Sequence, residues 1–188
     1  MEYVIYAAYG SNLLKERLLA YIIGESFRGI TKKHTGCPDK TEPVSLGWKR
    51  IPYRVYFGGY SGQWDGGVAF LSTEIEPNTE YHAVVRLWKM KREQYECVKS
   101  QEGESYAKEI KLGTIDGLKI LAFTSEKKLN YNSPSELYLD VLKEGLKESS
   151  PLYRQISQVL RYLSIHTQVD PAEGLGYSQG TPCNRDYL

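Results

Sequence analysis

Apolar and polar positions follow two different periods along the chain, and the changes of period mark its elements. Tyr3-Val4-Ile5-Tyr6-Ala7-Ala8 is an unbroken apolar run of strand length, the pattern of a largely buried strand. Leu14, Leu18 and Ile22 then recur at helical spacing, with Lys15, Glu16 and Arg17 expected on the opposite, polar face. Residues 24–50 show no clear period and read mostly as loop, with room for a short strand or helix. Alternation returns over residues 51–58, 68–73 and 81–88, with turns at 58–62 and at Pro77-Asn78, so three strands follow one another. Residues 91–99 read as a short helix with Tyr95 and Val98 inward, closed by Gln101-Glu102-Gly103, with Gly103 placed to end it. Residues 105–112 and 118–123 form a hairpin about Asp116-Gly117. Ser133-Pro134-Ser135-Glu136 matches a capping box with proline in the first helical position, ahead of an inward stripe of Leu137, Tyr138, Val141, Leu142 and Leu146. A second helix is expected from Ser150-Pro151, with Leu152, Ile156, Val159, Leu160 and Leu163 inward. From His166 onward apolar residues are sparse, which separates a domain of residues 1–165 from a tail, 166–188, that is either draped over it or disordered.

Length and composition narrow the classes. A chain of 188 residues suits one domain with a real core. Its 24 basic and 23 acidic residues leave a formal charge of +1, so no field favours nucleic acid or an anionic membrane. No apolar run approaches the roughly 18 residues of a membrane span, and the first residues lack a signal-peptide pattern. Cys37, Cys97 and Cys183 are far apart and odd in number, as expected of free thiols in the cytoplasm, although one disulfide is compatible with the pattern. The 16 tyrosines suit either a polar ligand pocket or a small β-rich core.

Two stretches carry candidate chemistry. Tyr9-Gly10-Ser11-Asn12-Leu13 links the first strand to the first helix. Gly10 permits a positive φ or a close backbone approach, and Ser11 and Asn12 are good helix N-caps. Such a turn can present main-chain N–H groups to an anion or a carbonyl oxygen, and it can equally be an ordinary connection. Glu102 leaves its helix on the face of Tyr95 and Val98. A carboxylate aimed at an apolar side gains a raised pKa, useful in an acid or base; Glu104 is the competitor. Asp65-Gly66-Gly67 suits a tight turn better than a ligand wall. His34 and Cys37 are too few for a metal centre, and no constellation with His166 supports metal or thiol chemistry.

Taken together, Tyr9 to Leu13 after the first strand, Trp64-Asp65-Gly66-Gly67 opening a middle strand, Gln101-Glu102-Gly103 after a short helix and the Pro134–Tyr138 run resemble the γ-glutamylcyclotransferase family over residues 3–148. The resemblance implies an α+β fold, a small mixed β-barrel with helices packed outside. It implies a cyclotransferase releasing 5-oxoproline from a γ-glutamyl small molecule, with Glu102 as general acid and base. Tyr9, Gly10, Ser11, Asn12, Leu13, Leu14 and Tyr138 would then bind the substrate. No metal and no organic cofactor is needed, the chain is expected as monomer or homodimer, and a non-catalytic binding module on the same fold is the alternative. The segment between the first helix and Ile51 departs from the family's pattern.

Overall fold

The computed structural model describes residues 2–167. Strand β1 (Tyr3–Ala8) lies at the centre of a five-stranded mixed sheet. Its neighbours are β5 (Ala83–Lys91), antiparallel, and β7 (Leu118–Thr124), parallel, with β2 (Val44–Ile51) and β6 (Lys108–Ile115) at the edges. Strands β3 (Tyr53–Ser61) and β4 (Gly66–Ile75) pair as a separate two-stranded sheet.

The twofold period of β1 divides the interior. Val4, Tyr6 and Ala8 point into one core with Leu18, Tyr21 and Ile22 of α1 (Lys15–Ile23) and Tyr95 and Val98 of α2 (Arg92–Glu102). Ile5, Ala7 and Tyr9 point into the other, with Phe57 and Leu71 of the β3–β4 pair, Leu142 and Leu146 of α3 (Glu136–Ser149), and Val159 and Leu163 of α4 (Ile156–Thr167). Each valine, leucine, isoleucine or phenylalanine among them contributes about 1.5–3 kcal/mol when fully withdrawn from water, so both faces of the sheet stabilise the fold.

The architecture is the expected α+β arrangement with helices outside the strands. Among the described residues no ladder of strand hydrogen bonds closes the two sheets into a barrel. One side chain spans them instead. The buried Thr124 hydroxyl, at the end of β7, accepts from Leu71 N–H at 3.0 Å and donates to Leu71 C=O at 2.9 Å, satisfying both main-chain groups of β4 at that residue.

Several local expectations change. The turn 58–62 is absorbed into β3, and β2 occupies the end of the segment read mostly as loop. Helix α1 has Leu14 rather than Ser11 or Asn12 as N-cap, because Ser11–Leu13 forms a 3-10 turn first; Lys15 N–H donates to Glu148 of α3. Helix α3 is capped by Ser135, whose hydroxyl accepts from Tyr138 N–H at 3.2 Å, so Pro134 precedes the cap. Leu137, Leu152 and Leu160 are exposed; Tyr153, Tyr162 and His166 are buried in that region instead. The Ile156 side chain and residues 168–188 lie outside the described residues, which leaves most of the expected tail there, while His166 and Thr167 belong to α4.

Cys37 and Cys97 are joined by a disulfide, against the expectation of free thiols, and Cys183 lies outside the described residues. The loop before β2 folds back along α1 and α2. Cys37 N–H donates to Ile22 C=O at 2.9 Å, which sets the two cysteine Cα atoms 5.7 Å apart. The thiol argument for the cytoplasm therefore does not stand on this pair. Among the described residues no helix is long and apolar enough to cross a membrane.

Thr124→Val should cost about 1–3 kcal/mol by stranding the buried Leu71 N–H and C=O, while Thr124→Ser should stay close to wild type. Urea unfolding with unchanged slope reads the difference; equal midpoints for the two variants would remove the stitch from the account.

Candidate functional site

The site forms where β1 ends and the chain turns from the sheet into α1. Main-chain groups of this turn are held by side chains of β5. Trp88 Nε1–H donates to Asn12 C=O at 3.0 Å, and Arg86 Nη1–H donates to Leu13 C=O at 2.9 Å. Tyr9, buried, donates from its hydroxyl to Phe123 C=O of β7 at 2.7 Å. Main-chain carbonyls of the turn and of β7 are thus satisfied by side chains within the protein.

Gly10 has φ −103°, so a positive φ is not what selects glycine there. Space is the cause. A Cβ at Gly10 would stand 3.2 Å from the Tyr138 hydroxyl and 3.6 Å from Ala69 Cβ. That hydroxyl accepts from Ala69 N–H at 3.2 Å and is also bonded to the main chain of Ser11. Tyr138 therefore ties the turn to β4.

Glu102 is the last residue of α2, and Gly103 closes that helix with φ +91°, a conformation glycine adopts without strain. The residue is partly exposed, yet its carboxyl end points inward. Its Oε1 accepts from Asn12 Nδ2–H at 2.7 Å, and Asn12 also donates to the Tyr6 hydroxyl at 3.2 Å. Both amide hydrogens are then used, and Asn12 Oδ1 remains a buried acceptor with no partner. Burial holds the Glu102 carboxyl above the ordinary carboxylate range, while Arg17, the Tyr21 hydroxyl and Asn12 pull it part of the way back. Glu104, on the turn that follows, is exposed.

Two connected spaces meet at this carboxylate. A cavity of about 20 Å³ is lined by Tyr6, Tyr9, Gly10, Asn12, Glu102 and Tyr138, among others. It shares Ser11, Glu102, Tyr106 and Tyr138 with a chamber of about 210 Å³ that extends to Arg17, His34 and Trp64. A larger space of about 370 Å³ lies elsewhere, along β4 and around His166, and contains none of these residues.

Of the residues singled out from the sequence, Tyr9, Gly10, Ser11, Asn12, Glu102 and Tyr138 converge on one cavity. Leu13 and Leu14 are packed in the core and do not line it. Asp65-Gly66-Gly67 serves packing: a Cβ on Gly67 would overlap Asn132 C=O, and Gly67 N–H donates to Ser133 C=O at 2.9 Å. Among the described residues no group of three or more histidine, cysteine, aspartate or glutamate side chains is arranged to hold a metal ion.

Sequence reading missed Arg17, placed on the polar face of α1 yet only 1% exposed. Its Nη2–H donates to the Tyr21 hydroxyl at 2.6 Å and its Nη1 lies 2.6 Å from His34 Nε2. A guanidinium only donates, so His34 accepts there and carries its own proton on Nδ1. Burial, then the neighbouring Arg17, push His34 down to about 4, which keeps the ring neutral at pH 7. The one signal in the sequence is that Arg17 and Tyr21 stand four residues apart, stacked on one helical face.

No family model matches the chain. Its structure is similar to that of a γ-glutamyl cyclotransferase, with a TM-score of 0.61 at 22% identity over 84% of this chain and 86% of the other. An uncharacterized protein from Homo sapiens gives 0.61 at 24% identity, covering 84% and 87%. YkqA from Bacillus subtilis gives 0.57 at 14% identity, covering 90% of this chain and 57% of that one. By sequence, 101 residues, 53% of this chain, are 38% identical to part of histone deacetylase 5 from Arabidopsis thaliana. That stretch spans only 15% of the plant protein. The fold is therefore of the γ-glutamyl cyclotransferase type.

An enclosed glutamic acid binds its proton more tightly in the fold than in the unfolded chain. Its contribution to stability is greatest below the unfolded pKa of about 4.3 and is lost as pH rises through the folded value. Glu102→Gln, which cannot ionise, should melt above wild type at pH 7, with the gap closing toward about pH 4. A gap that stays constant with pH would show that the carboxyl is not enclosed.

Proposed function

We propose that the protein is a cyclotransferase that releases 5-oxoproline from a γ-glutamyl compound, with Glu102 as its general acid and base. The observation that carries this reading is the enclosed Glu102 carboxylate, 2.7 Å from Asn12 of the turn after β1. The γ-glutamyl cyclotransferase fold at 0.61 supports the reaction class.

The chemistry needs few parts. The substrate's α-amine attacks its own γ-carbonyl carbon, a five-membered lactam closes, and the amide bond to the leaving amine breaks. Both reacting groups belong to one molecule, so holding the glutamyl arm folded supplies much of the rate. The α-amine arrives as an ammonium. Glu102 takes one proton before attack and a second as the lactam closes, and passes each to the departing nitrogen, which leaves as an ammonium, so no net proton is consumed by the enzyme. Residual burial, which keeps the carboxyl above its ordinary range, makes it fit for both transfers.

Asn12 has a matching role. Its buried, unpartnered Oδ1 is an acceptor for the ammonium, while its Nδ2 holds the carboxylate. The turn Gly10–Asn12 supplies main-chain donors to the developing oxyanion, where a single donor is worth ~3–4 kcal/mol. Tyr138 fixes that turn against β4. The chamber toward Arg17 and Trp64 adjoins Glu102 and takes the leaving amine.

Incubation with a panel of γ-glutamyl amino acids and γ-glutamyl amines, followed by mass spectrometry, should show 5-oxoproline from at least one member. Glu102→Gln should lower that release by about 10²-fold or more while substrate still binds, and Glu104→Gln should leave it nearly unchanged. Loss of release in the second variant but not the first would assign the base wrongly. Binding without release by wild type would make the protein a binding module.

A further inference from the structure

Arg17 is the charged group near the site that the reaction above does not employ. It is 1% exposed, and its guanidinium makes no ion pair with a carboxylate among the described residues. Its Nε is also buried without a partner. Arg86, the other buried arginine, is paired with Glu148 at 3.1 Å and reaches Leu13 C=O. A guanidinium does not lose its proton, so Arg17 keeps a positive charge in the interior, where the face of the Tyr21 ring, 4.1 Å away, and a nearby negative charge offset its burial.

The nearby negative charge is Glu102, one hydroxyl away. Arg17 Nη2–H donates to the Tyr21 oxygen at 2.6 Å. That oxygen is therefore an acceptor toward Arg17, and its own hydrogen is free to point elsewhere. Arg17, Tyr21 and Glu102 line the same chamber, and the Tyr21 hydroxyl is among the groups that favour the ionised Glu102 carboxylate. We propose that Arg17, acting through the Tyr21 hydroxyl, is a positioning residue that holds Glu102 ionised and oriented for proton transfer. The inference rests on the cyclotransferase reading for its purpose, while the relay itself is a property of the free protein.

The surroundings isolate this effect. Groups facing Glu102 are Tyr6 from β1, Tyr9 just after it, Arg17 and Tyr21 from α1, Tyr106 from the turn after α2, and Tyr138 from α3. Burial pushes all five tyrosines upward, so none is charged at neutral pH. His34, the remaining titratable neighbour of Arg17, is neutral with Nε2 turned to the guanidinium. Arg17 is thus the one formal charge opposing the desolvation of Glu102 among the described residues. Remove it, and burial acts alone.

The test is a carbon-13 NMR titration of the full chain labelled at glutamate carboxyls, with the Glu102 signal assigned by its loss in Glu102→Gln. Arg17→Met should raise the Glu102 midpoint by about one pH unit or more, Tyr21→Phe should raise it by less, and Arg17→Lys should recover most of the shift. Where wild type turns over, the acidic limb of kcat/KM should move upward by the same amount, since the base must be ionised to act. Coincident midpoints in wild type and folded Arg17→Met would overturn the relay. If Arg17→Met does not fold, an unmoved midpoint in Tyr21→Phe would overturn it equally. The titration needs no turnover, so absence of 5-oxoproline sinks the reaction, whereas coincident midpoints sink the relay alone.

Discussion

A carboxylate drawn out of water is stable only if the surrounding groups replace its hydration, and the site depends on how Glu102 meets that constraint. Asn12 gives it an amide hydrogen at 2.7 Å, Tyr21 a hydroxyl, and Arg17 a positive charge beyond. Each comes from a segment distant in the chain from α2. The compensation is partial, since burial still raises the group overall. For the proposed reaction partial compensation is the useful condition, because a carboxylate fully satisfied in the ionised state would be a poor proton donor to a departing amine.

That arrangement requires the turn after β1 to be rigid, and the sheet provides this. Trp88 and Arg86 of β5 bind two of its carbonyls, and Tyr138 of α3 holds its other side to β4. Thr124 closes the gap between the two sheets that flank it. The turn is therefore clamped by elements from both cores. Gly10 is the place where the clamp is tight, since a Cβ there would press on the Tyr138 hydroxyl at 3.2 Å, which favours glycine without any unusual backbone angle.

The loop before β2 completes the wall. It carries His34 to Arg17 and is fastened to α2 by the Cys37–Cys97 disulfide and by Gly36 N–H, which donates to Gln101 Oε1 at 3.3 Å. Gln101 and Glu102 are thus adjacent residues with separate tasks, one holding the loop and the other facing the cavity.

Much was legible in the sequence because it is local. The period of β1, the helix ending at Gly103 and the Asp116-Gly117 turn, with φ of +49° and +77°, are set by residues within a few positions of one another. The same holds for the direction of Glu102, which shares a helical face with Tyr95 and Val98. What the tertiary structure alone decided depends on which surfaces meet. Helical spacing put Arg17 with Lys15 and Glu16 on a polar face, but Arg17 alone of the three is buried, against Tyr21 and the loop that carries His34, while Glu16 stays exposed. The exposed Leu137 and Leu160 are the converse case, apolar positions that no neighbour reaches. Residues 37 and 97 are 60 positions apart, and only the folded loop brings them together. Local pattern reports which side of an element prefers water; the packing of distant segments decides which side receives it.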